Sequence, residues 1–344
     1  MRPLDGVRVL DLTRLLPGAY ATLLLADLGA DVVKIEDPRG GDGMRTLGPR
    51  ASGRTVYFEQ LNRGKRSVTL DLRAPEAAAI LAALVARADV VVDSFRPSTA
   101  RRLGVDAETL RARHARLVCA SISGFGHTGP YAERAAHDIN YQALAGLLKP
   151  PALPGPLVGD IGAAMQAAIG ILAALIQRQR TGEGSFVDVP IHEAALAWSM
   201  FPTTDDLMHA CYTIYETSDG EWLALGALEP KFWRGFCERI GRPDLVPLQH
   251  ATGDDRSRVL DEVRAIMRSR SRAEWLAAFA DADVCLTAVY TRDEVAVDPH
   301  VVARRGSARP NRRAPALGAD TDAVLEEAGV TEDARSQLRA ARII

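Results

Sequence analysis

Val7-Arg8-Val9-Leu10-Asp11-Leu12 and Asp31-Val32-Val33-Lys34-Ile35-Glu36 flank a stretch that opens at Pro17 and closes at Gly29, and this passage decides the fold. Each flank is an apolar, β-branched run of strand length. Between them Pro17 starts a helix through Leu23-Leu24-Leu25 and Gly29 ends it. The passage is a βαβ unit. The pattern then returns, with a strand over 67–72, an Ala-rich helix over 75–88, and strands over 89–95 and 117–123. Strands alternating with helices predict an α/β fold with a parallel sheet covered on both faces. The Gly- and Arg-rich stretch 37–66 has no clear periodicity and is too long for a mere connector, so it reads as a functional loop.

Residues 160–179 are rich in Ala, Ile and Leu and end in Arg178-Gln179-Arg180-Thr181-Gly182, which predicts a helix that is nearly buried. A strand near 186–189 and a helix from His192 follow. The character then changes, since 212–216 and 221–227 alternate like antiparallel strands around Asp219-Gly220. Helices are expected over 231–240, 256–269 and 272–279, then a basic, Pro-containing linker over 304–317 and a final helix over 320–328. With 344 residues the chain exceeds the roughly 250–300 at which a single core stops growing. The expected organisation is a large Rossmann-like domain over 1–190, a smaller α+β domain over 191–305, and a segment 306–344 that returns to the large domain.

A formal net charge of -2 with dispersed basic residues argues against a nucleic-acid partner. Cys119, Cys211, Cys237 and Cys285 are far apart, form no C-x-x-C pair, and read as buried free thiols in a reducing compartment. Charges at Asp5, Arg8, Asp11 and Arg14 interrupt any signal-peptide core, and no apolar run approaches the roughly 20 residues of a membrane helix. The expected location is the cytoplasm, with no membrane partner. No P-loop, H-E-x-x-H or metal-ligand spacing occurs, so no metal is expected.

Two polar sites stand out. His137-Asp138-Ile139-Asn140-Tyr141 carries polar groups with no amphipathic pattern of helix or strand, and Val158-Gly159-Asp160 opens the long apolar helix. A histidine and a carboxylate brought from separate segments are what a site needs to hold a proton acceptor and a proton donor on opposite sides of an acidic carbon. The ordinary reading of Asp160 is a helix N-cap, and that of Glu229, just before Pro230, a favourable charge at a helix N-terminus. Gly124-Phe125-Gly126-His127-Thr128-Gly129 matches G-x-G-x-x-G but precedes no long helix, so it reads as a turn against the His137 loop, not a dinucleotide site. Lys65, Arg66, Arg73, Arg96 and Arg102 lie near strand ends, where such charges are mostly solvated. Arg73 and Arg96 each follow a strand, where ligands of open parallel sheets bind, and could grip phosphates.

Gly6-Val7-Arg8-Val9-Leu10-Asp11-Leu12, Ala26-Asp27-Leu28-Gly29-Ala30-Asp31, Asn62-Arg63-Gly64-Lys65-Arg66-Ser67, Gly124-Phe125-Gly126 and Gly170-Ile171-Leu172-Ala173-Ala174-Leu175 together resemble the family III CoA-transferases, also called the CaiB/BaiF family. The resemblance spans nearly the whole chain. It implies a Rossmann-like large domain, a small domain and an interlocked homodimer. The His137 run and Gly226-Ala227-Leu228-Glu229-Pro230-Lys231-Phe232 look like the α-methylacyl-CoA racemase branch.

By that resemblance His137 and Asp160 are the acid/base pair and Glu229 supports them. CoA contacts are implied at Leu70, Asp71, Leu72 and Arg73, at Ser94, Phe95 and Arg96, at Arg102, and at Ala136, Asp138, Ile139, Asn140 and Tyr141. The implied activity is α-proton transfer on 2-methyl-branched acyl-CoA, with no cofactor beyond the CoA of the substrate. A backbone N–H at the start of the Asp160 helix is the expected oxyanion donor. The chain departs from that branch in lacking a Gly-rich stretch before residues 209–215, and its 37–66 loop is long, as in the transferases. In the transferase branch the aspartate at the Asp160 position attacks the acyl-CoA to give a mixed anhydride, and no catalytic histidine is required.

Overall fold

The computed structural model describes residues 1–200, 208–308 and 312–344. They form two compact units, Met1–Met200 with Pro310–Ile344, and Phe201–Arg309. The first unit runs β1 (Arg8–Leu12), α1 (Leu15–Asp27), β2 (Asp31–Glu36), the hairpin β3 (Arg50–Ala51) and β4 (Arg54–Thr55), and α2 (Val56–Asn62). It continues with β5 (Arg66–Thr69), α3 (Ala77–Val85), β6 (Val90–Asp93), α4 (Pro97–Leu103), α5 (Ala107–Arg113) and β7 (Val118–Ser123). α6 (Asp138–Leu144), α7 (Val158–Thr181), β8 (Phe186–Pro190) and α8 (Ile191–Ser199) complete its first passage.

The strands form one parallel sheet in the order β5-β2-β1-β6-β7-β8. Strand order reverses between β1 and β6, which opens a crevice at their carboxyl ends. Side-chain alternation sends Val9, Val32 and Val90 into a core with α1, α7 and α8 on one face. It sends Leu10, Val33 and Val91 into a second core with α3 on the other. The expected double covering is therefore present.

In the second unit β9 (Tyr212–Glu216), β10 (Trp222–Gly226) and β11 (Leu286–Ala288) form an antiparallel sheet in the order β11-β10-β9. Its helices are α9 (Pro230–Arg239), α10 (Gly253–Met267), α11 (Arg272–Ala278), α12 (Arg292–Val297) and α13 (Pro299–Ala308). Tyr215, Trp233, Phe236 and Trp275 fill its core. Gly220, at φ 76°, makes the turn between β9 and β10 that Asp219-Gly220 predicts. The expected 304–317 linker begins as the last turns of α13, and residues 309–311 lie outside the described residues.

The chain returns to the first unit as α14 (Thr321–Glu327) and α15 (Glu332–Ala340). α15 corrects the expectation that the helix near 320–328 is the last. This segment covers the otherwise open edge of β5: Ser67 N–H donates to Asp320 Oδ2 (2.8 Å), Asp320 N–H to Ser67 O (2.9 Å) and Asp71 N–H to Ile343 O (2.8 Å). The last bond also fixes the turn that follows β5.

Four further expectations are corrected. α7 is not nearly buried: Ala163, Ala164, Ala167 and Ile171 face the core, but Ile169 is 66% and Ile176 58% exposed. By length and composition α7 could also cross a membrane, against the expectation that no segment approaches that size, although half of its most apolar stretch is buried inside the unit. Cys285 is exposed, whereas Cys119, Cys211 and Cys237 are buried free thiols. The His137 run, expected to have no helical pattern, is the N-cap and first turns of α6.

Candidate active site

The crevice at the β1/β6 switch holds two neighbouring cavities. The larger, about 570 Å³, is lined by His137, Asp160, Tyr141 and Asn140, by Ser94, Phe95 and Arg96, and by Arg14, Leu15, Thr99, Ala136 and Arg134 among others. The smaller, about 260 Å³, is lined by Leu70, Asp71, Leu72, Arg73 and Arg102. Arg14, Phe95 and Thr99 line both, so the two make one elongated site.

Thus one site gathers His137, Asp160 and most of the residues implied for CoA. Asp138 and Ile139 do not line it: Asp138 is buried beneath the site and Ile139 is exposed elsewhere on α6. Glu229 belongs to the second unit, where it is the exposed N-cap residue of α9 with no side-chain cap bond.

His137 is exposed, at the N-cap of α6 with extended backbone (φ -127°, ψ 174°), and its N–H donates to Asn140 Oδ1 (3.0 Å). Asp160 is not an N-cap, since that position is Leu157; it sits in the first turn of α7. Its N–H donates to Asp138 Oδ1 (2.9 Å), which removes that donor from the expected oxyanion role. Burial, reinforced by the negative charge of Asp138, pushes the Asp160 carboxyl up to about 7. Near neutral pH it therefore holds its proton in a large fraction of molecules.

Tyr141 forms the wall beside them. Its hydroxyl donates to Ala136 O (3.1 Å), and burial followed by the charge of Asp160 pushes it up to about 12, so it stays neutral. The Gly124 turn packs on this ring as expected: Phe125 meets Tyr141 edge-on at 5.4 Å, and a Cβ at position 124 would lie 2.5 Å from the Tyr141 hydroxyl.

The rim is basic. Among the described residues Arg96 and Arg102 are exposed and make no ion pair, so both are open to a phosphate. Arg73 instead pairs with Asp71 (3.0 Å) and Asp37 (2.8 Å), and Arg39 pairs with the same two carboxylates.

Beneath the smaller cavity lies a buried ionic cluster. Lys65, grouped above with solvated charges, is buried and donates to Asp11 Oδ2 (3.2 Å), Thr22 Oγ1 (2.8 Å) and Asn62 Oδ1 (2.8 Å). Lys34 pairs with Asp42 (2.9 Å) and donates to Thr13 O (2.8 Å). Burial opposes ionisation of Asp11, yet Lys34, Lys65 and the Thr13 and Thr22 hydroxyls together bring it down to about 2. Asp42 in turn accepts from Leu15 N–H (3.2 Å), holding that residue at φ 63°. A non-glycine residue there stores about 1–3 kcal/mol of backbone strain, a sign of a built site.

Sequence reasoning passed over Arg14, Leu15, Thr99 and Arg134. The rule that drew attention to Arg73 and Arg96 applies equally to the end of β1, and would have found Thr13-Arg14-Leu15.

Asp93 closes β6 under Phe95, its Oδ1 accepting from Phe95 N–H (2.9 Å) and Ser121 Oγ (3.2 Å), and burial pushes it up to about 7. Folded protein keeps this proton up to about pH 7, while the unfolded chain loses it near 3.8. The associated stability is full below pH 3.8 and is lost as pH rises through 7. Asp93→Asn keeps an acceptor without the charge, so at pH 8 it is expected to stabilise the protein by about 2–4 kcal/mol, with little gain near pH 4. Thermal unfolding at both pH values checks this.

A family model described as CoA-transferase family III matches residues 4–321. The chain is 35% identical to succinyl-CoA–D-citramalate CoA-transferase of Chloroflexus aurantiacus, covering 100% of this chain and 98% of that protein. It is 32% identical to alpha-methylacyl-CoA racemase of Homo sapiens, covering 99% and 97%. The solved structure of a CAIB/BAIF family protein from Brucella suis matches with a TM-score of 0.82 at 30% identity, covering 95% of this chain and 99% of that one.

Proposed function

The chain belongs to CoA-transferase family III, and from that membership we propose that it catalyses α-proton transfer on 2-methyl-branched acyl-CoA thioesters. The observation that carries the reading is a single cavity lined by both His137 and Asp160, with the Asp160 carboxyl near 7. An imidazole that takes a proton and a carboxylic acid that still has one to give are matched to this chemistry at neutral pH.

In the proposed reaction the thioester carbonyl makes the α-carbon acidic. His137 takes the α-proton from one face, and the electron pair of the broken C–H bond passes into the enolate. Asp160 then delivers its proton to the opposite face, the enolate pair forms the new C–H bond, and the configuration inverts. For the other enantiomer the two residues exchange roles. The unpaired Arg96 and Arg102 would meet the CoA phosphates along the elongated site. The substrate's CoA is the cofactor-like group in this scheme, and the chemistry needs no other. The exposed apolar side chains of α7, among them Met165, Ile169 and Ile176, support a homodimer.

CoA transfer is the second reading, favoured by the 35% identical relative named as a CoA-transferase. There the Asp160 carboxylate would attack the acyl-CoA, forming an anhydride and releasing CoA thiolate. Incubation with a 2-methylacyl-CoA in deuterated water separates the two. The proposal expects α-deuterium without any added carboxylic acid; CoA movement to an added acid with no α-deuterium would replace it with transfer.

A further inference from the structure

Asp138 does not line the cavity, yet its buried carboxylate joins the two groups on which the proposed reaction depends. It directly follows His137 in the chain, and its Oδ1 accepts the N–H of Asp160 at 2.9 Å. Its Oδ2 accepts from Gln142 Nε2, which also donates to Pro156 O (3.1 Å) in the segment entering α7. Gly159 leaves room for this brace, because a Cβ there would lie 3.0 Å from Asp138 Oδ1. Resting on the α-proton-transfer reading, we infer that Asp138 is a positioning residue: a buried clamp from the start of α6 to the first turn of α7 that sets the spacing of the His137 imidazole and the Asp160 carboxyl.

The clamp also carries charge. A carboxylate beside Asp160 disfavours a second negative charge, so the proton stays on Asp160. The other ionisable groups around Asp160 are His137 and Tyr141 from α6 and, across the cavity, Arg14, Arg96 and Arg134. α1 contributes Leu15 and Pro17 and β7 contributes Ile122, none of which titrates. α8 lines the cavity with Ile191 and packs Ala194, Ala195 and Trp198 on Gly159 and Gly162, again without charge.

The test is Asp138→Asn, which keeps an acceptor for the Asp160 N–H and removes the charge. The protonated-carboxyl infrared band of Asp160, identified by difference from Asp160→Asn, is titrated in the wild-type and Asp138→Asn backgrounds. The midpoint is expected to fall by on the order of one pH unit. In the exchange assay the alkaline limb should move down by the same amount, with KM for the thioester within about threefold and kcat near pH 8 reduced about tenfold. Asp138→Ser, smaller and still an acceptor, serves if the Asn protein does not fold. An unchanged infrared midpoint overturns the inference whichever reaction the enzyme runs. A lowered midpoint with no exchange in the wild-type protein would instead overturn the proposed reaction and leave the clamp standing.

Discussion

Asp160→Asn is expected to reduce α-deuterium exchange about 10³-fold, almost entirely in kcat. The amide is nearly the same size and leaves the main-chain N–H bond to Asp138 in place, so the first turn of α7 keeps its geometry. What it lacks is a proton that can be given up and taken back. Thioester binding should change by no more than about twofold, because Arg96 and Arg102, proposed to meet the CoA phosphates, are untouched. A large rise in KM at constant kcat would mean that Asp160 binds substrate and does not exchange protons with it.

His137→Ala is the second large effect, and the more discriminating. Loss of the imidazole should cost about 10²–10³-fold in exchange. The N-cap hydrogen bond to Asn140 is made by the His137 main chain, so α6 should form as before. Under CoA transfer the same variant would retain its rate within about threefold, because an aspartate nucleophile and an anhydride need no imidazole. The first variant therefore tests whether Asp160 acts at all, and the second tests which reaction it serves.

The parallel sheet was legible because strand and helix periods are local: β1, α1 and β2 lie within a residue or two of where apolar spacing, Pro17 and Gly29 place them. Burial was less legible, because it depends on what packs against each face. The apolar residues of α7 suggest a buried helix, yet only the side carrying Ala163, Ala164, Ala167 and Ile171 meets the core, and Ile169 and Ile176 point outward. Lys65 erred the other way, since nothing local announces that Asp11, Thr22 and Asn62 converge on its amine. The His137 run hid a helix because Asp138 and Tyr141 turn inward while Ile139 is exposed, and the Asp138, Asn140 and Tyr141 side chains bond to main chain, which defeats an amphipathic count. Asp138 shows this best: it reads as a site residue, but its carboxylate is directed at α7.

In the proposed reaction a proton acceptor and a proton donor address opposite faces of one α-carbon. Its most direct test begins with a single enantiomer of a 2-methylacyl-CoA in deuterated water, with no carboxylic acid added, and follows configuration and α-deuterium together. Inverted product is expected from the first turnovers, carrying deuterium. Deuterium gained with full retention of configuration would mean that one group does all the work on one face, and would contradict it.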